Sequence, residues 1–440
     1  VLSMKFEKLA YVIISTVLVI IFILFSYIFS PFEFDTDNLV SVKKIYFVDH
    51  ISAAHQKVID RFNEKYKGEI QVEAINLSFD KFSTNERKEL LARYLRSRND
   101  RIDIFSIDQI WVPRFAKWGV PLNQYFDDEK NKLLSFAMET CYYGDTLVSI
   151  PLYIDIALMF YRDDILKNLP DYKIIKEKID SSITWEDFIE LRKKISTKYP
   201  FYIFQADDFE GLLCSFTELM ANQNNPIITK DSIYLETKEG NKALQILVDL
   251  VNKYDVSPKE VLRFKENASY GYFAENDGIF LRGWPAFLSK DNTVLRDKPE
   301  LLKNLKRAPL PHLNGSEAGS VYGGWNLMIS KFSTKKQEVI KFAEFLISEE
   351  AQKIMFENGG YLPINVKIYN DSIYVHNHPE LDFYYKLMKK GIHRPFLKKY
   401  TNVSDILSYY INLAIAKEIT VREALSIATE KIKSNNIFIK

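Results

Sequence analysis

The first clear period along the chain is a strand followed by a helix. Lys44–Val48 (KIYFV) is a short β-branched and aromatic run that predicts a strand. Behind the open loop Asp49–Ala54, Val58, Ile59, Phe62 and Tyr66 recur at helical spacing. Ile70–Ile75 predicts a second strand and Lys88–Arg98 a second helix. Ile102–Ile107 predicts a third strand, running into Trp111–Trp118. A βαβαβ opening predicts a parallel sheet covered by helices on both faces.

The pattern tightens at Tyr142–Asp164. A Tyr-Tyr-Gly-Asp turn leads into the apolar strand Leu147–Ile150, and a second apolar run spans Ile154–Tyr161. Pro151 lies between them and has no N–H to give a ladder, so the chain is expected to change direction there. Tyr153 and Asp155 are two residues apart and face the same side of a strand. That pair suits a sugar: an aromatic face stacks on an apolar ring face, and a carboxylate accepts from hydroxyls. It equally fits a buried strand with surface polar residues.

Farther on, Ser182–Lys194 predicts a helix capped by Thr184, with Asp187 three residues later. Helices are predicted over Glu210–Asn222 and Lys238–Tyr254, a strand over Asn276–Leu281, and a short helix over Trp284–Ser289. Arg307–Pro311 is a proline-rich crossover and Tyr322–Ser330 a strand. Helices over Lys335–Ser348, Glu350–Glu357, Leu381–Lys389, Val403–Ile415 and Val421–Lys433 complete the chain. The pattern contains no internal repeat, no glycine-rich phosphate loop and no metal-ligand spacing.

Length and composition narrow the class. At 440 residues the chain is too long for one core, so two lobes are expected. With 59 basic and 58 acidic residues there is no bulk field to steer nucleic acid, and no nucleic-acid partner is expected. Cys141 and Cys214 match no metal site and read as buried thiols, although one disulfide is compatible with the sequence. Leu9–Phe29 carries no charge, with Lys5 and Lys8 before it and Glu33, Asp35 and Asp37 after it. This predicts one N-terminal transmembrane helix that leaves the remaining chain outside the cytoplasm. A cleaved signal segment is the rival reading. Phe32–Val42 reads as a tether.

Several positions could carry a binding site. Asp108 stands just past a strand's carboxyl end, where ligands gather in open α/β sheets, though it could equally cap the next helix. Trp284 lies where a strand turns into a helix. Gly324 and Trp325 begin a strand with paired glycines beside a large ring, which leaves room for a ligand or another backbone. Arg394 could donate two hydrogen bonds in a fixed fork, or could be a solvated surface charge.

In order along Lys43–Lys433, the chain resembles the family 1 extracellular solute-binding proteins of ABC sugar importers, and within them the maltose/trehalose-binding branch. The resemblance is carried by DIFSIDQIWVPRFAKWGVPLNQYFDD, YYGDTLVSIPLYIDIALMFYRDDIL, TWEDF, RGWPAF, APLPHLNGSEAGSVYGGW and FLISEEAQKIMFENGGYLPI. It implies a periplasmic-binding-protein type II fold, two α/β lobes joined by a multi-segment hinge. The N-lobe would comprise 43–149 and 310–349, and the C-lobe 150–309 and 350–440. It also implies a ligand site of Arg87, Asp108, Gly324 and Trp325 from the N-lobe, with Tyr153, Asp155, Trp284 and Arg394 from the C-lobe. The acids would accept from hydroxyls, the indoles would stack on pyranose faces, and Arg87 and Arg394 would donate to hydroxyls and hold the acids ionised. No cofactor and no metal is implied. The expected partners are a small oligosaccharide (a disaccharide), ABC permease subunits and the membrane, with the chain a monomer.

Two departures qualify the likeness. The first loop, Asp49-His50-Ile51-Ser52-Ala53, lacks the acid often found there, which leaves Asp49 and His50 as weak candidates. A lipid-bearing cysteine is absent. A membrane-anchored sensing module is therefore an alternative output. A glycosidase, with Asp108 and Asp155 as its carboxyl pair, is a third reading.

Overall fold

The computed structural model describes residues 15–22, 42–78, 81, 84–98, 101–228, 232–289 and 292–434. Its strands are β1 (Lys43–Asp49), β2 (Ile70–Asn76), β3 (Ile104–Asp108), β4 (Tyr142–Tyr143), β5 (Thr146–Leu147), β6 (Ile150–Ile156), β7 (Leu158–Arg162), β8 (Tyr202–Ile203), β9 (Phe280–Gly283), β10 (Leu305–Ala308), β11 (Ser320–Ile329) and β12 (Gly391–Ile392). They form two main sheets, one per lobe. The N-lobe sheet has six strands in the order β12-β11-β3-β1-β2, with β6 also paired to β11. The C-lobe sheet has four, in the order β10-β7-β9-β8.

The βαβαβ opening is as its period predicts. β1 runs parallel to both β2 and β3. Between β1 and β2, the helix Ala53–Lys65 is capped by Ser52, whose side chain accepts from the His55 N–H. Its stripe Ala54, Val58, Ile59 and Phe62 is buried on the sheet, with the Phe62 and Phe342 rings 4.9 Å apart. Thr184 caps its helix, accepting from the Asp187 N–H at 3.1 Å. Cys141 and Cys214 are buried free thiols.

The expected turn at Pro151 is corrected. Pro151 lies inside β6, opposite Asn326 at a register shift, where the missing N–H is tolerated. The change of direction falls at Ala157, between β6 and β7. Ala157 gives its N–H to Val321 O at 3.1 Å, whereas Leu158 already pairs with Gly283 in the other sheet. The apolar run Ile154–Tyr161 is therefore two strands in two lobes. A buried strand in either sheet has the same apolar signature, so the sequence shows no boundary. Tyr153 and Asp155, expected on the C-lobe, stand on the N-lobe sheet.

The later segments also divide differently from the expected bounds. The helix Glu349–Gly359 packs on Ala53–Lys65 in the N-lobe. Leu362 bridges to Ile154, and Ile364 accepts from the Leu134 N–H at 2.8 Å. β12 still pairs with β11, whereas the helix Tyr400–Ile415 packs on the C-lobe helices Glu210–Ala221 and Lys238–Asn252. The chain thus crosses at Ala157, between β10 and β11, and between β12 and Tyr400. Among the described residues no helix is long and apolar enough to cross a membrane. The run Leu9–Phe29 lies largely outside those residues, with only 15–22 described, as helix.

Candidate functional site

The carboxyl ends of β1 and β3 and the middle of β6 and β11 bring polar side chains to one face of the N-lobe sheet. Trp325 pairs with Asp108 on one side and Tyr153 on the other, and Gly323 pairs with Asp155. Directly opposed residues share a face, so Asp108, Tyr153, Asp155 and Trp325 stand together. The C-lobe contributes Trp284, at the end of β9. A Cβ added at Gly323 would lie 2.9 Å from the Trp284 ring and 3.1 Å from the Asp155 Cβ. Glycine at 323 therefore lets an indole from one lobe lie against a carboxyl-bearing strand of the other. Trp284 is partly buried, with the Arg282 guanidinium 5.3 Å from its ring. Arg282 is held in turn by both carboxylate oxygens of Glu218, at 3.0 and 2.7 Å.

Gly324 answers to backbone rather than to ligand. Its φ is +129°, and a Cβ there would meet Tyr153 O at 2.7 Å and Ile154 Cα at 3.0 Å. Trp325 does not present an open face. The Arg87 guanidinium lies 4.4 Å from its ring, Trp111 meets it edge-on at 5.6 Å, and the residue is 9% exposed.

The charged groups are distributed differently from the expected pattern. Arg87 donates to Asp49 at 3.2 Å, which brings the weak candidate Asp49 into the cluster. His50 contributes its backbone N–H to Asp49 at 2.6 Å. Arg394 is 4% exposed and donates to Asp108 at 3.0 Å and to Glu210 at 2.8 Å. Asp108 also accepts from the Ile110 N–H at 3.1 Å, so it caps a turn and pairs with an arginine at once. Glu210 accepts from Tyr400 Oη at 2.7 Å and from Ser404 Oγ. Burial opposes the Arg394 charge, but Asp108, Cys214 and Glu210 together hold its pKa above the ordinary guanidinium value. Asp108 lies in the N-lobe and Glu210 in the C-lobe. Arg394 thus ties the lobes together at the third crossing, in place of the expected hydroxyl donor.

Among these acids Asp155 is the one that meets no arginine. The residue is partly exposed, but its Oδ1 is shut off from solvent and has no hydrogen-bond partner, as is also true of Asp49 Oδ2. Burial, with Asp108 adding repulsion, pushes the Asp155 pKa up to about 8. The expectation that arginines hold both acids ionised is therefore corrected for Asp155, and burial raises the Asp108 pKa as well, against the Arg394 charge. His55 and Tyr361 also belong to the cluster, and the periodicity marks neither. Tyr361 packs on Tyr153 at 4.5 Å and on His55 at 4.9 Å. His55 Nε2 lies 3.5 Å from Asp49 Oδ2. Burial and the Arg87 cation lower the imidazole pKa to about 3, so His55 is neutral and this contact is not an ion pair. Its apolar helix spacing disguises His55 as core, and no local signal marks Glu210. Among the described residues no group of acids, histidines and cysteines could hold a metal ion.

A ring and a carboxyl contributed by different lobes are suited to holding a polar, ring-shaped solute at the lobe interface. Comparisons with known proteins agree with the architecture. A probable ABC transporter-binding protein of Deinococcus radiodurans is 22% identical over 351 residues, covering 76% of this chain and 80% of the relative. Maltose-bound MalE3 of T. maritima superposes with a TM-score of 0.80 at 26% identity, covering 90% of this chain and 100% of that one. An ABC transporter solute-binding protein of Thermotoga lettingae, bound with alpha-D-tagatose, superposes with a TM-score of 0.76 at 22% identity, covering 90% and 100%. Residues 47–353 match the sequence profile of the bacterial extracellular solute-binding proteins, and the chain belongs to that family.

Proposed function

We propose that this chain binds a small oligosaccharide, a disaccharide, between its lobes and delivers it to the permease of an ABC transporter. The observation that carries the reading is the approach of C-lobe Trp284 to Gly323 and Asp155 of the N-lobe. A sugar held between such groups gains its full contacts only when both lobes touch it, and that difference shifts a hinge equilibrium toward closure. Trp284 would stack on a ring face, with Asp155, Tyr153 and Asp108 facing hydroxyls. Trp325, with Arg87 across its ring, would form the floor. Support for a saccharide comes from the maltose held by the T. maritima relative. As a member of a solute-binding family the chain is a binder and not an enzyme.

The uncharged run Leu9–Phe29 supports a further element of the reading, an N-terminal anchor that keeps both lobes at the outer membrane face. Alkaline extraction of membranes carrying the full chain tests it: retention is expected, and release into the soluble fraction overturns it. Titration calorimetry against a disaccharide panel tests the function. Saturable heat with at least one sugar is expected; a folded protein that gives none with any of them overturns it.

A further inference from the structure

The site holds several acids but allots its arginines unevenly. Arg394 is committed to Asp108 and Glu210, at 3.0 and 2.8 Å, and Arg87 bonds Asp49 at 3.2 Å. Among the described residues Asp155 accepts a hydrogen bond from neither, and its buried Oδ1 accepts none at all. The titratable groups near enough to act on Asp155 are Asp108 on β3, Tyr153 on β6, Tyr270 from the helix Glu266–Glu275 and Tyr384 from the helix Glu380–Met388. None of them is a cation. An unpaired carboxylate in such a place is costly, and a carboxyl group avoids that cost by keeping its proton.

Resting on the sugar-binding reading above, we propose that Asp155 recognises ligand as a neutral carboxylic acid. It meets the ligand through Oδ2, the carboxyl oxygen that is not shut off, and gives its proton in a hydrogen bond to a ligand oxygen, so the site takes uncharged sugars and weakens in alkali.

The direction of its titration agrees, since burial and Asp108 push the group up to about 8. An acid in this form both donates and accepts, as a sugar hydroxyl does. Trp284, against the same Gly323 surface, sets the ring plane beside it. A ligand amine would act in the opposite way: its positive charge would favour the ionised carboxylate and strengthen binding as the proton leaves.

The test uses the full chain and maltose as the probe. Infrared difference spectra of wild type minus Asp155→Asn, taken without ligand from pH 5 to 10, read the state of Asp155 directly. A protonated-carboxyl band at pH 6 that disappears near pH 8 is expected, and a carboxylate band already present at pH 6 overturns the proposal. Maltose Kd is then expected to rise about tenfold from pH 7 to pH 9, with the dependence abolished in Asp155→Asn. Wild-type affinity that is flat or tighter at pH 9 also overturns it. If the acid band is present and maltose gives no heat at any pH, the sugar reading fails for this disaccharide while the neutral acid stands.

Discussion

Asp155 shows how a residue's chemistry depends on what its neighbours have already engaged. Its folded-state pKa of about 8 exceeds the ordinary carboxylate value of 3.8. Between those values the folded chain holds a proton that the unfolded chain has lost. Stability should therefore fall as pH rises through that window, by at most about 1.4 kcal/mol per pH unit, and level off above it. Asp155→Asn is expected to raise the melting temperature at pH 8 and to flatten its decline between pH 5 and 8; matching melting curves for the two proteins would refute this. Trp284 belongs to the same scale. Trp284→Ala removes a ring that meets the facing sheet, with an expected loss of about 2 kcal/mol in sugar binding and a Kd about thirtyfold higher by calorimetry with maltose.

At the level of elements, β11 organises the site. It pairs with β3 and β6 together, and its two glycines do different work. Gly323 makes room for an indole from the other lobe, and Gly324 takes a backbone conformation that L side chains rarely adopt. Gly324→Ala should cost about 1–3 kcal/mol in denaturant unfolding, because both φ and the carbonyl of Tyr153 oppose a Cβ. A midpoint equal to wild type would contradict that account. The strand period and the paired glycines are legible in the sequence. The division of Ile154–Tyr161 at Ala157 is not, because both halves are buried strands and burial is all that hydrophobicity reports.

Across the whole molecule, Arg394 joins the lobes at the third crossing. Its partners Asp108 and Glu210 are brought together where the helix Glu210–Ala221 packs against β11, the strand that pairs with β3. Removing the cation leaves buried Asp108 and half-buried Glu210 without it, so Arg394→Gln is expected to cost about 3–5 kcal/mol of stability. It should also increase the radius of gyration of the ligand-free protein by small-angle scattering. An unchanged radius in a folded variant would show that the tie does not hold the lobes together. Maltose-bound MalE3 superposes on 90% of this chain at a TM-score of 0.80, so the fold is shared with that protein over most of the chain.

By itself the sequence determined the βαβαβ opening, the presence of two lobes though not their bounds, and the residue types available at the carboxyl edge of the N-lobe sheet. Those follow from local period, chain length and the direction in which side chains leave a strand. Only the tertiary structure decided which acid each arginine neutralises, where the chain changes sheet, and which glycine admits an indole. Those depend on groups as far apart as Asp108 and Arg394, or Gly323 and Trp284, meeting in space. No local pattern encodes such a meeting, because it is fixed by how whole elements pack.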